Sequence, residues 1–381
     1  MRYLDYAATT PVLPEVREAM ISVLDEDFGN PSSVHAFGRR SRRLVEDARD
    51  RVAAAVGADP AEIVFTGGGT EANNLALKGA AFKLKGNGRQ VVTTAFEHHA
   101  VLDSVHWLAR QGFEVDTVGV GSDGLVDPDA FASAIRSDTI VASVMSVNNE
   151  IGTVQNLSSI AEKVKARNER TLLHTDAVQA LGNIPVSLHA WGVDLASFAA
   201  HKLGGPKGVG ALFVRSHVPV EAILHGGGQE RGLRSGTHNV AGIVGFGLAA
   251  EIAAKETYEK SERVLGLRTR LLEGIRNSIP DVVVNGDIDR RVAGNVNICI
   301  PRTDGETLLL LLDEAGIACS SGSACTSGAL DPSHVLLALG VPPETAKGSL
   351  RLSLGRGSTD EDVDHVLEVL PGVVERARRA A

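Results

Sequence analysis

Residues 62–83 read EIVFTGGGTEANNLALKGAAFK. Glu62–Thr66 has the apolar, β-branched character of a strand, and from Glu71 to Lys83 apolar residues recur at helical spacing. GGGT (Gly67–Thr70) lies between them, so the stretch spells a strand that turns through glycines into a helix. Glycines let a backbone approach an anion closely, and a helix N-terminus offers unpaired N–H groups. The same four residues also suit a plain tight turn. The pattern GxxxxGK[ST] is absent and no GxGxxG stands between a strand and a helix, so a bound phosphate would not belong to a nucleoside triphosphate or dinucleotide.

Working outward, the same alternation repeats. Val91–Thr94, Glu114–Val120, Ile140–Val147, Thr171–Thr175 and Leu195–Ala199 read as strands. His98–Arg110, Asp127–Ile135 and Leu157–Arg167 have helical spacing. Apolar strands alternating with helices predict an α/β fold whose mostly parallel sheet is covered by helices. After about Tyr258 the rhythm changes. Leu265–Ile279, Gly305–Ala315 and Thr359–Arg379 are helical, with short strands at Val282–Asn285, Val296–Ile300 and Leu350–Leu354. That pattern predicts a smaller α+β domain. No linker separates the two, so the expected division is 13–257 for the large domain, with 1–12 and 258–381 forming the small one.

Composition narrows the function. The chain has 381 residues, 38 basic and 47 acidic, a net charge of −9. That argues against a dominant basic surface, and direct nucleic-acid binding is not expected. The longest leucine run, Leu308–Leu312, falls far short of the ~20 residues of a membrane span. The N-terminus MRYLDYAATT lacks an apolar signal core. Three cysteines make no disulfide framework and fit a reducing cytoplasm. His98 and His99 are adjacent, but no HExxH or cysteine-rich set accompanies them, so no metal is expected.

Three further features carry chemistry. LLHTDAVQA sets Asp176 at the C-terminal end of an apolar strand, where open α/β sheets place ligands and a carboxylate can keep a heteroaromatic nitrogen protonated. SFAAHKLGGPKGVGAL sets Lys202 just past another strand, where a partly desolvated lysine can form a Schiff base. Phosphate cup, acid and lysine in this order are what pyridoxal phosphate requires. RGLRSGTHN has an oxyanion-binding composition, with Arg231, Arg234, Ser235, Gly236 and Thr237. In ACSSGSACTSG (318–328), Cys325 stands among serines and glycines, whereas Cys299 sits in the apolar run VNICI. A thiol on a small-residue stretch suits a nucleophile, and Cys319, ending a short apolar run, is ambiguous.

With these residues assembled, the sequence resembles the NifS/IscS-like cysteine desulfurases, class V aminotransferase-like enzymes of pyridoxal-phosphate fold type I. The resemblance covers nearly the whole chain. It rests on LDYAATTP, FGNPSS, EIVFTGGGTEANNLA, EHHAVLDS, VNNEIGTVQ, HTDAVQ, AHKLGGPKGVGAL, HGGGQERGLRSGT, SSGSACTS and RLSLGR. It implies that Lys202 is the Schiff-base lysine, Asp176 the pyridine-nitrogen partner and Gln179 the contact of the phenolic oxygen. His98 would stack on the ring and serve as acid or base, while Gly69, Thr70 and His201 form the phosphate cup. Thr237 would reach the phosphate of a neighbouring subunit, which implies a homodimer. Asn30 and Asn149 match substrate-side asparagines, and Arg351 a clamp on the substrate carboxylate.

The implied activity converts L-cysteine to L-alanine, leaving sulfur as a persulfide on Cys325 for an acceptor in iron–sulfur assembly or tRNA thiolation. Two departures stand out. Relatives often carry a phosphate-binding serine where this chain has Ala199. The sequence stops at ERARRAA, where some relatives continue into a tail that docks a scaffold; a scaffold is therefore expected to use other surfaces, such as 318–328. The rival readings are an aminotransferase, another lyase such as one acting on selenocysteine, and a catalytically idle assembly subunit. Lys202, Asp176 and Cys325 together oppose the last.

Overall fold

The computed structural model describes residues 1–322 and 332–380. A seven-stranded sheet runs in the order Ile63–Thr66, Gly210–Val214, Leu195–Ala199, Leu172–Asp176, Thr139–Ser143, Gln90–Thr94, Glu114–Val118. The last five are mutually parallel, and Gly210–Val214 runs antiparallel to both its neighbours. The ends at Thr66, Ala199, Asp176, Ser143 and Thr94 consequently share one edge, the edge at which an open α/β sheet binds ligands.

Parity along the strands explains the covering on both faces. Ile63, Phe65, Val92, Ala142, Leu173, Ala196, Phe198 and Phe213 belong to one apolar cluster, which takes in Val45, Val52, Ile160 and Phe246 from helices. Their neighbours Val64, Val91, Val141, Leu172, Leu195 and Leu212 belong to another, closed by Leu75 and Leu77 and by Val101 and Val105. Glu114–Val118, at the margin of the sheet, is largely exposed; the other six strands are buried on both sides, so their sequences read as mostly apolar runs.

A third cluster joins Leu4, Val264, Leu271, Ile298, Leu312, Leu352, Val366 and Leu370. Here strand Asn295–Cys299 pairs antiparallel with Ser349–Ser353 and with Val283–Val284. Helices Gly305–Glu314 and Asp360–Ala380 supply the rest. Arg2–Tyr3 pairs with Ile317–Ala318, which draws the N-terminus to this side.

The structure departs from the sequence reading in several places. Strand Gly210–Val214 was not anticipated: the glycines of GGPKGVG conceal five residues that enter the sheet between two others. Helices Pro14–Glu26 and Ala36–Val56 were not anticipated either. The strand expected over 140–147 ends at Ser143. Leu265–Ile279 is part of a 39-residue helix, Val240–Ser278. Its Ile243, Phe246 and Ala250 lie in the first cluster, while its Val264, Leu271 and Ile275 lie in the third.

Candidate active site

The helix after the first strand begins at Gly69, two residues earlier than its apolar spacing suggests. Gly68, before it, has φ 151°, a value open to glycine. A Cβ on Gly69 would lie 2.7 Å from Val178 Cγ2 and 3.5 Å from Ala199 Cβ, so only glycine leaves this space open. The N–H groups of Gly69 and Thr70 belong to the first turn, where a helix has no acceptors of its own.

Asp176 ends its strand and is buried. Asn73 Nδ2, from the helix just described, donates to its Oδ2 at 2.7 Å, and the Val178 N–H donates to Oδ1 at 3.0 Å. Lys202 lies in a single 3-10 turn following strand Leu195–Ala199. Its Nζ donates to the carbonyls of Ala7 (2.5 Å) and Ala8 (2.8 Å), and Gln179 Nε2 donates to Ala7 at 2.8 Å. His201 Nδ1 lies 3.2 Å from Thr9 Oγ1. Burial, with Lys202 and Lys207 adding repulsion, lowers its imidazole to about 4, so the ring is neutral near pH 7.

His98 caps helix His99–Arg110, its Nδ1 accepting from the Ala100 N–H at 3.0 Å. An accepting Nδ1 leaves the proton of the neutral ring on Nε2. Beside it Glu97 is wholly buried. Its Oε1 accepts from Thr94 Oγ1 and the Met145 N–H, both at 2.7 Å, and its Oε2 has no partner among the described residues. Burial pushes this carboxyl up to about 8, with Asp176 adding to the rise, against the pull of the two donors.

Arg351 comes from the small antiparallel sheet. Its guanidinium donates to Asp5 Oδ1 and to the Asn149 carbonyl, both at 2.8 Å. Asn148, in the same turn, accepts from the N–H groups of Glu150 and Ile151 and donates to the Phe96 carbonyl at 2.9 Å. Burial raises the Glu150 carboxyl, which accepts from Ser333 Oγ at 2.5 Å. Lys202, Gln179 and Asn149 share a cavity of about 480 Å³ with Tyr6, Ala7 and Lys260.

Not every anticipated residue joins this group. Gly69, Thr70, His98, Asp176, His201 and Arg351 do not line that cavity, nor does Asn30, which is exposed with its Oδ1 accepting from the Ser32 N–H. Thr237 is exposed on the loop where Arg234 pairs with Glu71 at 2.8 Å. Cys325 lies outside the described residues. Cys299 is fully buried, and burial raises its thiol. Cys319 is pushed up to about 12, chiefly by burial and then by Asp5, so it is a poor source of thiolate near pH 7.

The model of the class-V aminotransferases matches residues 2–366. A cysteine desulfurase IscS from Methanosarcina thermophila is 50% identical over 376 residues, spanning 99% of this chain and 92% of that protein. The chain belongs to the cysteine desulfurases. An IscS-like cysteine desulfurase from Mycobacterium tuberculosis is 48% identical over 388 residues, covering 100% of this chain and 98% of its own length. A solved NifS-like protein superposes with a TM-score of 0.93 at 40% identity, over 99% of this chain and 100% of that one.

This family works with pyridoxal phosphate, and the residues present fit it. The space beside Gly69 is one a Cβ would fill. An amine, a buried carboxylate, first-turn N–H groups and a neutral imidazole converge on one sheet edge. Sequence reasoning missed Asp5, Asn73, Glu97 and Asn148. Their signal was a polar residue within or beside an apolar stretch, as in YLDYA, TEANNLA and AFEHHA.

Proposed function

We propose that this desulfurase converts L-cysteine to L-alanine and carries the sulfur as a persulfide on Cys325. The observation that supports it best is that Lys202, Asp176 and His98 all stand at the C-terminal edge of the parallel strands, with Lys202 and Asn149 on one cavity and Arg351 bonded to the Asn149 carbonyl. Bound there, pyridoxal phosphate would supply a carbon that links to the substrate amine and an electron sink for the Cα carbanion. Asp176 would hold its ring nitrogen, Gln179 its phenolic oxygen, His98 its ring face, and Gly69, Thr70, His201 and Thr237 of the partner subunit its phosphate.

The chain's own residues do the rest. Arg351 and Asn149 orient the substrate carboxylate. Lys202 yields its place to the substrate amine and then, as a free amine, takes the Cα proton. The Cys325 thiolate attacks the substrate sulfur. An S–S bond forms as the Cβ–S bond breaks, and the bonding pair leaves with the carbon fragment, which is protonated to alanine. Cys325→Ser should keep the cofactor and the first spectral change with L-cysteine but lose alanine turnover. Mass spectrometry should find added sulfur on the Cys325 peptide. Sulfur only on Cys319, or normal turnover by Cys325→Ser, would overturn the reading.

We assign the functional state as a homodimer. Ile21, Leu24, Phe28, Val34 and Phe37, on either side of Asn30 in sequence, are exposed apolar residues, and the Phe28 and Phe37 rings lie 5.2 Å apart. A fully active monomer in light scattering at micromolar concentration would refute this. The acceptor is a protein of iron–sulfur assembly or tRNA thiolation, and the setting is the cytoplasm. Among the described residues no helix is long and apolar enough to cross a membrane. We place the domain division near residue 257, along the long helix. Pull-down of partners with radiolabelled sulfur transfer tests the acceptor, and membrane-bound activity after fractionation would refute the location.

A further inference from the structure

Arg351 is almost completely buried, its side chain 3% exposed. One terminal nitrogen donates to Asp5 Oδ1 and the other to the Asn149 carbonyl, while Nε has no partner among the described residues. A guanidinium carries five N–H donors in a planar fork. A buried donor left without an acceptor is costly, and completion by a bound ligand is one way such a donor is satisfied.

Asp5 is itself fixed. It bridges to Ser353, two residues beyond Arg351 on the same strand, and its carbonyl accepts from Tyr3 Oη at 3.1 Å and the Ala8 N–H at 3.0 Å. Two residues later the same turn presents the Ala7 and Ala8 carbonyls to Lys202 Nζ. One short piece of backbone therefore touches both the arginine and the lysine. In an α-amino acid the amine and carboxylate are joined through a single carbon. The groups that receive them must keep a fixed spacing, and an error of an ångström is expensive in rate or affinity.

Resting on the reading of Arg351 as the carboxylate clamp, we propose that Asp5 is a positioning residue. It sets the Arg351 fork for an α-carboxylate, and its turn holds that fork in register with Lys202. Asp5 acts through Arg351 and does not itself touch the substrate.

The test uses holoenzyme and two probes read by cofactor absorbance. L-Alanine has the amine and carboxylate; cysteamine has the amine but no carboxylate. Asp5→Asn should raise the half-saturation for L-alanine, and KM for L-cysteine, about ten-fold with kcat little changed, as expected for a lost orienting partner of a charged group. Cysteamine binding should not move. Asp5→Glu, which places its charge one methylene further out, should show the same carboxylate-specific loss and serves if Asp5→Asn does not fold. Equal weakening of both probes would overturn the proposal, as would unchanged L-alanine binding. Arg351→Lys separates the two levels. If it weakens L-alanine binding while Asp5→Asn does not, Asp5 alone loses its role. If Arg351→Lys leaves L-alanine binding intact, the clamp reading falls and the proposal with it.

Discussion

Glu230 and Glu97 are both buried, one at the loop after residue 227 and the other at the edge of the sheet beside His98. Glu230 accepts from two nitrogens of Arg49, each at 2.8 Å, from His238 Nε2 at 2.6 Å and from the Phe65 N–H at 2.8 Å. Burial opposes its charge, but these donors hold it down at about 2. Among the described residues Glu97 has two donors on one oxygen and none on the other, and burial lifts it to about 8. The loop around Glu230 also holds Glu230 and Arg231 at φ 48° and 57°, conformations that rarely persist without such anchoring. One region spends its polar groups on holding shape. The other keeps polar atoms unspent, as Arg351 Nε and Asn73 Oδ1 also show. Unpaired buried atoms also occur elsewhere among the described residues, at His238 Nδ1 beside Glu230 and at Arg268 Nε on the long helix, so the contrast between the two regions lies in the carboxylates themselves.

The sharpest break of that comparison is at Lys202. Lys202→Ala should abolish alanine formation, a loss of roughly a thousand-fold or more, and remove the visible absorbance of the holoenzyme. Borohydride reduction followed by peptide mapping should mark Lys202 in the unaltered chain; a mark on Lys207 would move the assignment. Stability should change little, because the Ala7 carbonyl keeps its bond from Gln179.

At Glu230 the expectation reverses. Glu230→Gln leaves the buried Arg49 without its main countercharge, which should cost about 3–5 kcal/mol of stability, seen as a lower urea midpoint. The pH dependence carries a definite sign. Because the folded pKa lies below the ordinary carboxyl value, the contribution is present above about pH 4.5 and fades as pH falls towards 2. Glu230→Gln should lose that acid-side fall. A variant as stable as the parent would show that the network is ornamental.

The sheet was legible because its strands are short, apolar on both faces and followed by helices, so Ile63–Thr66 and Leu195–Ala199 could be read almost to the residue. Asp176 and Lys202 were legible because one ends such a run and the other follows one by three residues. Asp5 and Asn148 were not, because their partners are supplied by tertiary contacts 346 and 52 residues away in sequence. The length of helix Val240–Ser278 was not legible, because one continuous helix feeds two apolar clusters and its sequence changes partner part-way.

Glu97→Gln probes the unspent side more gently. The parent carboxyl is neutral up to about pH 8, so an amide that keeps Oε1 as acceptor should preserve structure, cofactor and rate near pH 7. The difference lies in the slope. A raised folded pKa stabilises below about 4.5 and loses that contribution as pH rises through 8. The parent should therefore lose stability relative to Glu97→Gln across that window, by up to about 1.4 kcal/mol per pH unit, with the gap constant above it. Parallel melting curves from pH 5 to 9 would show that Glu97 is ionised in the fold and that the contrast with Glu230 is false.

The smallest effect expected is at Ala199, the last residue of strand Leu195–Ala199. Its Cβ lies 3.5 Å from where a Cβ on Gly69 would stand, so it faces the same space as the first turn of the helix. A serine Oγ there adds a hydroxyl donor without filling the gap that Gly69 leaves. A hydrogen bond to a charged group is worth about 1.5–3 kcal/mol when well formed. The hydroxyl must first give up its own partners, so Ala199→Ser should tighten the cofactor only about three- to ten-fold. The dissociation constant from equilibrium dialysis reads this, with inorganic phosphate as a competing probe that should tighten in parallel. With kcat unchanged and both affinities raised, the phosphate sits between Ala199 and Gly69. If neither affinity moves, the phosphate lies instead towards Thr70 and His201, and the open space beside Gly69 serves another part of the cofactor.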